Sequence, residues 1–254
     1  MHNLLNTPAS PVLVTGGASG IGAACAEALA AVGRSAIIWD LQQDKAQAVA
    51  ARLAEQYGVP CLGIGIDLCD AAAIAPALVR TRAELGAPGA LVHAAGVVDQ
   101  SGLEQLSAER WDAVLNVNLR AMALLVQAML PDLRANPGAA VVGIASINAT
   151  LGNGLIPAYS ASKGGMLSLV RSLADALGAD GIRVNSVSPG QILTPMVAPI
   201  AAANPGMFER RILLGRLGQP EELGRVVRFL LSEEASYINA AEILVDGGNI
   251  SSQR

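Results

Sequence analysis

The hydrophobic positions of the chain follow two alternating patterns along nearly its whole length. Short apolar runs bounded by Gly, Pro or Asp are typical of strands that are buried on both faces. These runs lie at residues 12–14, 36–39, 62–66, 90–92, 140–144, 184–187 and 243–245. Between them, apolar residues recur at helical spacing in residues 21–32, 44–57, 71–85, 108–134, 158–177 and 221–231. The alternation predicts an α/β fold with a doubly wound parallel sheet and helices on both faces.

The same pattern predicts one domain. No linker or fixed repeat divides residues 11–254, and the polar residues 1–10 are expected to form a flexible tail. Residues 191–218 interrupt the alternation, because Pro195, Pro199 and Pro205 disfavour any regular element there. A segment of this length is more often a lid or a binding loop than a plain connection. We therefore expect a substrate lid at residues 191–218, beside the carboxyl ends of the strands where ligands bind in such sheets.

Composition and charge exclude several classes of protein. The 254 residues include 17 Lys and Arg against 21 Asp and Glu, and without a basic run the net charge of −4 argues against nucleic-acid binding. The most apolar stretch, residues 121–130, is much shorter than a membrane span of roughly 18–20 residues. Residues 1–10 lack the pattern of a secretory signal, so we predict a cytoplasmic protein. Three cysteines and two histidines lack the spacing of a metal site, and none is predicted.

A glycine-rich turn follows the first predicted strand. The sequence Thr15-Gly16-Gly17-Ala18-Ser19-Gly20-Ile21-Gly22 leads directly into the helix at residues 21–32. Glycine lets the backbone turn sharply and approach a pyrophosphate, while free N–H groups and the helix dipole favour its negative charge. Such turns also serve simply to pack a helix on a strand. The position after the first strand favours a dinucleotide cradle.

Acidic residues end the second and third predicted strands. Asp40 is placed to accept hydrogen bonds from the adenosine ribose and to repel a 2′-phosphate, which predicts NAD rather than NADP. The alternative is that Asp40 merely caps the following turn. Arg34 precedes the second strand and is not predicted to bind a 2′-phosphate. Asp67 either accepts from the adenine amino group or caps the following helix.

A serine, a tyrosine and a lysine suggest proton chemistry. Ser146 follows the fifth predicted strand, and Tyr159 and Lys163 are one turn apart on one face of a predicted helix. A tyrosine with a pKa near 10 works poorly as an acid or base at neutral pH unless a neighbouring cation stabilises its phenolate. Lys163 is placed to do this, and Ser146 could hold a substrate oxygen. By itself the set would also fit a helix-surface pair and a strand-end cap.

Taken together, the motifs resemble the classical short-chain dehydrogenase/reductase family over nearly the whole chain. The resemblance rests on the glycine-rich turn, Ala94-Ala95-Gly96, Asn118, Ser146, Tyr159 with Lys163, and Pro189-Gly190. It implies a single Rossmann-like domain with a seven-stranded parallel sheet, and a homotetramer to which the helices at residues 108–134 and 158–177 would offer apolar faces.

The resemblance also implies roles for individual residues. Tyr159 would be the general acid/base, and Lys163 would lower the pKa of Tyr159 and bind the nicotinamide ribose. Ser146 would orient the substrate oxygen, and Asn118 would hold a water in a proton relay. The expected cofactor contacts are Gly16, Ser19, Gly20, Ile21, Gly22, Asp40, Leu41, Asp67, Leu68, Ala94, Ala95, Gly96, Tyr159, Lys163, Pro189, Gly190, Ile192 and Thr194.

The expected substrate pocket is mainly apolar. Its predicted members are Asn148, Asn153, Leu155, Met196, Val197 and Met207. The two asparagines could bind substrate, although asparagine at such a place more often caps a turn. An apolar wall favours a neutral, hydrophobic alcohol or ketone as the small-molecule substrate.

Two features depart from the family pattern. His93 stands where the family often has asparagine, and we interpret it as structural rather than as a general base, because it lies beside the adenosine half of the cofactor. Asp180 occupies a turn that tends to be basic in carrier-protein reductases, which disfavours that subgroup. The sequence therefore predicts an NAD(H)-dependent oxidoreductase that interconverts a secondary alcohol and a ketone. The alternatives are an NADP-linked carbonyl or 3-oxoacyl-carrier-protein reductase and, more remotely, a non-catalytic nucleotide-binding regulator.

Overall fold

Strands and helices alternate through residues 8–251, which the computed structural model describes. The strands are β1 Val12–Thr15, β2 Ala36–Asp40, β3 Cys61–Gly65, β4 Ala90–His93, β5 Ala140–Ile144, β6 Arg183–Pro189 and β7 Glu242–Val245. The helices are α1 Gly20–Ala30, α2 Gln43–Tyr57, α3 Ala71–Leu85, α4 Ala108–Leu115, α5 Ala121–Ala135, α6 Pro157–Leu177, α7 Ala198–Ala203 and α8 Pro220–Leu230. Each predicted strand and helix is present, with ends that differ by a few residues.

All strands of the sheet run parallel, in the order β3-β2-β1-β4-β5-β6-β7. The chain winds outward from β1 in one direction, then returns to place β4 on the other side of β1. At such a point the connections diverge to opposite faces and leave a crevice at the carboxyl ends of the strands. The predicted seven-stranded, doubly wound sheet is confirmed.

The core consists of two apolar layers, one on each face of the sheet. One layer packs α1, α2 and α8 against strand residues such as Val12 and Val14. The other layer packs α3, α5 and α6 against Leu13 and its counterparts in neighbouring strands. Successive residues of a strand point to opposite faces, so both sets of side chains are apolar. This explains why the strands appear as unbroken apolar runs in the sequence.

The long helix predicted at residues 108–134 is interrupted. A π-helical turn at Asn116–Arg120 joins α4 to α5, and the Ala121 N–H donates to the Asn116 carbonyl instead of to that of Val117. By length and composition alone, the run Ala108–Ala135 could cross a membrane. Its residues Met122 and Leu125, however, are fully buried in the layer beneath the sheet. Packing in the core accounts for these buried apolar residues.

The segment at residues 191–218 contains more regular structure than its prolines predict. Helix α7 lies within it, and the prediction of no regular element is wrong at this place. Pro199 is in the first turn of α7, where the N–H that proline lacks has no helical partner in any case. A parallel bridge between Ile192 and Gly218 joins the two ends of the segment. The two ends of the segment therefore lie side by side, and the residues between them form one continuous excursion of the chain.

Arg34 lies on the opposite side of β2 from the strand's carboxyl end. Its Nε donates to the Ser10 carbonyl at 2.8 Å and its Nη1 to the Leu231 carbonyl at 3.0 Å. These bonds hold Ser10, the last residue of the predicted tail, whereas residues 1–7 lie outside the described residues. Arg34 is thus buried as a structural cation and does not border the carboxyl-end crevice.

Candidate active site

A cavity of about 420 Å³ lies beyond the carboxyl ends of the strands. Every residue that the sequence predicted to contact the dinucleotide lines this cavity, and so does Ser146. The sequence did not single out Trp39, Gln42, Ile66, Val97, Val117, Ile144, Ala145 and Pro195, which also line it. All of these except Val117 lie within two residues, in the sequence, of a predicted cofactor residue or of Ser146. Val117 reaches the wall through the π-helical turn, for which the sequence offers no clear signal.

The glycine-rich turn between β1 and α1 has the geometry of a phosphate cradle. Gly16 and Gly20 adopt positive φ angles of 63° and 53°, which favour glycine. A Cβ on Gly22 would lie 2.1 Å from the Gly16 carbonyl oxygen, so this helix start can pack only without a side chain. No side-chain hydrogen bond caps the amino terminus of α1 at Ser19. The free N–H groups of the first turn suit the pyrophosphate of a dinucleotide.

We expect Gly22→Ala to weaken the binding of NADH by about tenfold or more, because the added methyl group pushes the Gly16 peptide out of place. Fluorescence titration with NADH measures this loss. The matched control is Gly178→Ala, since Gly178 has a helical φ of −61° and its added Cβ would meet its nearest neighbour at 4.0 Å. Equal NADH affinity for Gly22→Ala and the control would contradict the assignment of the cradle.

Asp40 supports the glycine-rich turn from the end of β2. Its Oδ2 accepts from the Ala18 N–H at 3.1 Å, and its Oδ1 accepts from the Gln42 N–H at 3.0 Å. The predicted turn-capping alternative is therefore observed, and the carboxylate also borders the cavity. A ribose contact and this support are compatible, because each carboxylate oxygen can accept more than one hydrogen bond.

Asp67 does not cap the helix that follows it. Its Oδ1 accepts from the Cys69 N–H at 2.9 Å, whereas Asp70 is the N-cap of α3 and accepts from the Ala72 N–H. The capping alternative for Asp67 is wrong because the helix begins three residues later than that reading requires. Asp67 lines the cavity.

Tyr159, Lys163 and Ser146 converge at one end of the cavity. The Lys163 Nζ lies 5.6 Å from the centre of the Tyr159 ring and donates to the Ile144 carbonyl at 2.6 Å. Burial lowers the pKa of Lys163 to about 8, so the amine is still mainly protonated at pH 7. Burial raises the pKa of Tyr159, and a hydrogen bond with Ser146 opposes that rise. The Ser146 hydroxyl accepts from the Asn148 N–H at 3.1 Å, which leaves its proton free to donate.

Asn118 is fully buried and does not line the cavity. Its Nδ2 donates to the Val97 carbonyl and to the Ser162 Oγ, both at 3.0 Å, and its Oδ1 accepts from the Val97 N–H at 2.8 Å. Ser162 in turn donates to the Tyr159 carbonyl at 2.7 Å. Both amide hydrogens of Asn118 are thus committed to protein groups, so the side chain positions the loop at Val97 and α6, the helix that carries Tyr159 and Lys163.

The predicted substrate wall is only partly formed as expected. Met196 and Val197 line the cavity, whereas Asn148, Asn153, Leu155 and Met207 do not. The Asn153 side chain accepts from the Leu155 N–H at 3.1 Å, which is the turn-capping use of asparagine. The Leu155 side chain is exposed at the rim of this loop. Of the predicted substrate residues, only Met196 and Val197, which follow Thr194 closely, border the cavity.

Known proteins resemble this chain over almost its full length. Residues 16–249 match the pattern of a family described as enoyl-(acyl carrier protein) reductase. A cis-4-hydroxycyclohexanecarboxylate dehydrogenase from Sinomonas cyclohexanicum is 36% identical over 237 residues, which cover 93% of this chain and 94% of the relative. A 3-oxoacyl-[acyl-carrier-protein] reductase from Aquifex aeolicus is also 36% identical, over 236 residues covering 93% and 95%. The chain belongs to the classical short-chain dehydrogenase/reductase family.

Solved structures of this family share the fold. L-sorbose reductase from Gluconobacter frateurii, complexed with NADPH and L-sorbose, superposes with a TM-score of 0.91 at 28% identity. The match covers 98% of this chain and 99% of the reductase chain. Members of the short-chain dehydrogenase/reductase family thus include proteins named for both alcohol oxidation and ketone reduction, on substrates of different chemistry.

Proposed function

We propose that this protein is an NAD(H)-dependent oxidoreductase that interconverts a secondary alcohol and a ketone. One observation carries the proposal: Tyr159, Lys163 and Ser146 border the same cavity as the glycine-rich turn. A nucleotide-binding regulator would not need a buried, protonated lysine next to a tyrosine ring. When bound in this cavity, the nicotinamide of the cofactor accepts or supplies the hydride.

The protein's own residues handle the proton. In alcohol oxidation, the Tyr159 phenolate takes the hydroxyl proton of the alcohol as the carbinol C–H bond breaks, and in ketone reduction the Tyr159 hydroxyl returns a proton to the oxygen. Lys163, whose Nζ lies 5.6 Å from the centre of the Tyr159 ring, is placed to stabilise the phenolate by its positive charge. The Ser146 proton holds the substrate oxygen, so charge developing on that oxygen meets a fixed donor.

The preference for NAD over NADP rests on Asp40. Its carboxylate borders the cavity, where it is placed to accept from ribose hydroxyls and to repel a 2′-phosphate. The complex of the sorbose reductase with NADPH makes the NADP-linked reductase the second candidate. The two candidates differ in cofactor and share the proton chemistry.

The substrate class follows from the apolar wall. Met196 and Val197 line the same cavity as Ser146 and Tyr159, and this wall favours a neutral, hydrophobic cyclic or aryl/alkyl alcohol. The relative named as a cis-4-hydroxycyclohexanecarboxylate dehydrogenase supports a cyclic secondary alcohol, and the carboxylate of its named substrate is not matched by the neutral substrate proposed here. The lid at residues 191–218, a homotetramer and a cytoplasmic location belong to the same proposal.

The test is to follow absorbance of the reduced nicotinamide with NAD and, separately, with NADP. The panel contains neutral cyclic and aryl alcohols, polyols, hydroxy acids and a 3-oxoacyl thioester with its hydroxyl counterpart. We expect turnover with NAD and a hydrophobic secondary alcohol. Turnover restricted to NADP and the thioester would instead establish the carrier-protein reductase. Binding of NADH without turnover of any compound in the panel would overturn the proposed function in favour of a regulator.

A further inference from the structure

The buried His93 at the end of β4 connects two parts of the candidate active site. Its Nε2 lies 3.1 Å from the Val117 carbonyl oxygen in the π-helical turn, and its Nδ1 lies 3.0 Å from the Thr15 Oγ1 at the end of β1. The Thr15 Oγ1 also accepts from the Ala95 N–H at 3.3 Å. The imidazole therefore stands between the strand that enters the glycine-rich turn and the helix that carries Asn118.

The partners of His93 determine its tautomer. A carbonyl oxygen can only accept, so the proton must be on Nε2, and Nδ1 then accepts from the Thr15 hydroxyl. Burial, together with the charge of Lys163, lowers the pKa of His93 to about 3, so the ring is neutral near pH 7. The resulting chain of bonds runs from the Ala95 N–H through the Thr15 hydroxyl and His93 to the Val117 carbonyl. Both ring nitrogens of His93 have a partner.

The π-helical turn needs a donor at this place. In an α-helix the Val117 carbonyl would accept from the Ala121 N–H, but here the Ala121 N–H donates to the Asn116 carbonyl. A buried carbonyl without a donor costs free energy comparable to that of a lost hydrogen bond. His93 offers the Val117 carbonyl a donor in place of the Ala121 N–H. Single π-helical turns are often found at functional sites, and this one carries Asn118.

We propose that His93 is a positioning residue that holds the π-helical turn through the Val117 carbonyl and thereby places Asn118 against α6. Asn118 contacts Ser162, and Ser162 contacts the Tyr159 carbonyl, so a shift of the turn reaches the tyrosine through two hydrogen bonds. The catalytic part of this inference rests on the proposed oxidoreductase function. The structural part, which concerns the turn itself, does not depend on it.

The test uses two substitutions, each of which keeps the hydrogen-bonding role of one imidazole nitrogen. The amide nitrogen of His93→Gln can occupy the position of Nε2 and donate to Val117. The oxygen of His93→Asn can accept from Thr15 as Nδ1 does, but the side chain is too short to reach Val117. Hydrogen exchange of residues 116–122, followed by mass spectrometry on the whole protein without cofactor, reports the stability of the turn.

We expect His93→Asn to accelerate exchange in residues 116–122 about tenfold and His93→Gln to restore it to within about threefold of the parent protein. For the active enzyme, we expect kcat of His93→Asn to fall about tenfold, with the Kd for NADH changed less than about threefold. Rescue of kcat by His93→Gln separates positioning from a general loss of stability.

Thr15→Val is the matched control, because it removes the contact with Nδ1, together with the acceptor of the Ala95 N–H, and leaves the contact with Val117. We expect its exchange in residues 116–122 to stay at the parent rate. The inference is overturned if His93→Asn exchanges at the parent rate, or if His93→Gln or Thr15→Val exchanges as fast as His93→Asn. Should His93→Asn fail to fold, fast exchange in His93→Gln alone overturns it.

Failure of the two proposals is distinguishable. Hydrogen exchange is measured without turnover. A parent protein that turns over no alcohol or ketone would therefore contradict the proposed function and leave the exchange comparison unaffected. Altered exchange with unchanged kcat in His93→Asn would overturn the positioning role of His93 in the reaction.

Discussion

Tyr159→Phe is expected to lower the turnover of alcohol and ketone by about 10²–10⁴-fold, the usual contribution of a general acid or base. The substitution keeps the ring, and it removes the hydroxyl that exchanges a proton with the substrate oxygen. Neither Lys163, which donates to the Ile144 carbonyl, nor the buried His93 occupies the position of that hydroxyl. The affinity for NADH should change little, because the glycine-rich turn remains intact.

Steady-state turnover and NADH fluorescence titration check this expectation together. Tyr57→Phe is a matched control, because Tyr57 lies on α2, whose residues do not line the cavity. The Tyr57 hydroxyl donates to Glu27 of α1 at 3.0 Å. We expect parent turnover from the control. Residual turnover of Tyr159→Phe within tenfold of the parent would remove Tyr159 from the proton transfer.

The fold was predictable because burial in a parallel sheet determines the type of residue at each position of a strand, and this pattern can be read from short stretches of sequence. A strand that is buried on both faces must be apolar at every position, and each helix between strands must keep one apolar side. Leu13 and Val14 pack into opposite layers, and both are apolar for that reason. Many residues that line the cavity were predictable for a related reason, since the carboxyl ends of such strands meet at one edge.

Two of the features that the sequence did not predict depend on contacts between distant residues. Asn116–Arg120 has the composition of an ordinary helix, and its π-helical turn pairs Val117 with His93, which is distant in the chain. A sequence pattern cannot distinguish the Asn118 side chain bound to Ser162 from one bound to water. The prediction that Asn153 lines the substrate wall failed for a local reason, because its carboxamide oxygen accepts from the Leu155 N–H of its own loop.

Removing the charge of Asp40 is the second substitution with a large expected effect. We expect Asp40→Ala to raise the ratio of kcat/KM with NADP to that with NAD on the order of 100-fold, because a carboxylate close to a 2′-phosphate is strongly repelled. The structure adds a second effect of this substitution. Asp40 accepts from the Ala18 N–H of the glycine-rich turn, so Asp40→Ala also loosens the cradle and weakens the binding of both cofactors.

Asp40→Asn separates the two effects, because it removes the charge and keeps an oxygen that can accept from Ala18 or Gln42. If charge determines the preference, both variants shift the NADP-to-NAD ratio alike, while Asp40→Asn retains more affinity for NADH in fluorescence titration. If support of the turn determines it, Asp40→Ala shifts the ratio and Asp40→Asn does not. A ratio that is unchanged in both variants would show that another residue selects the cofactor.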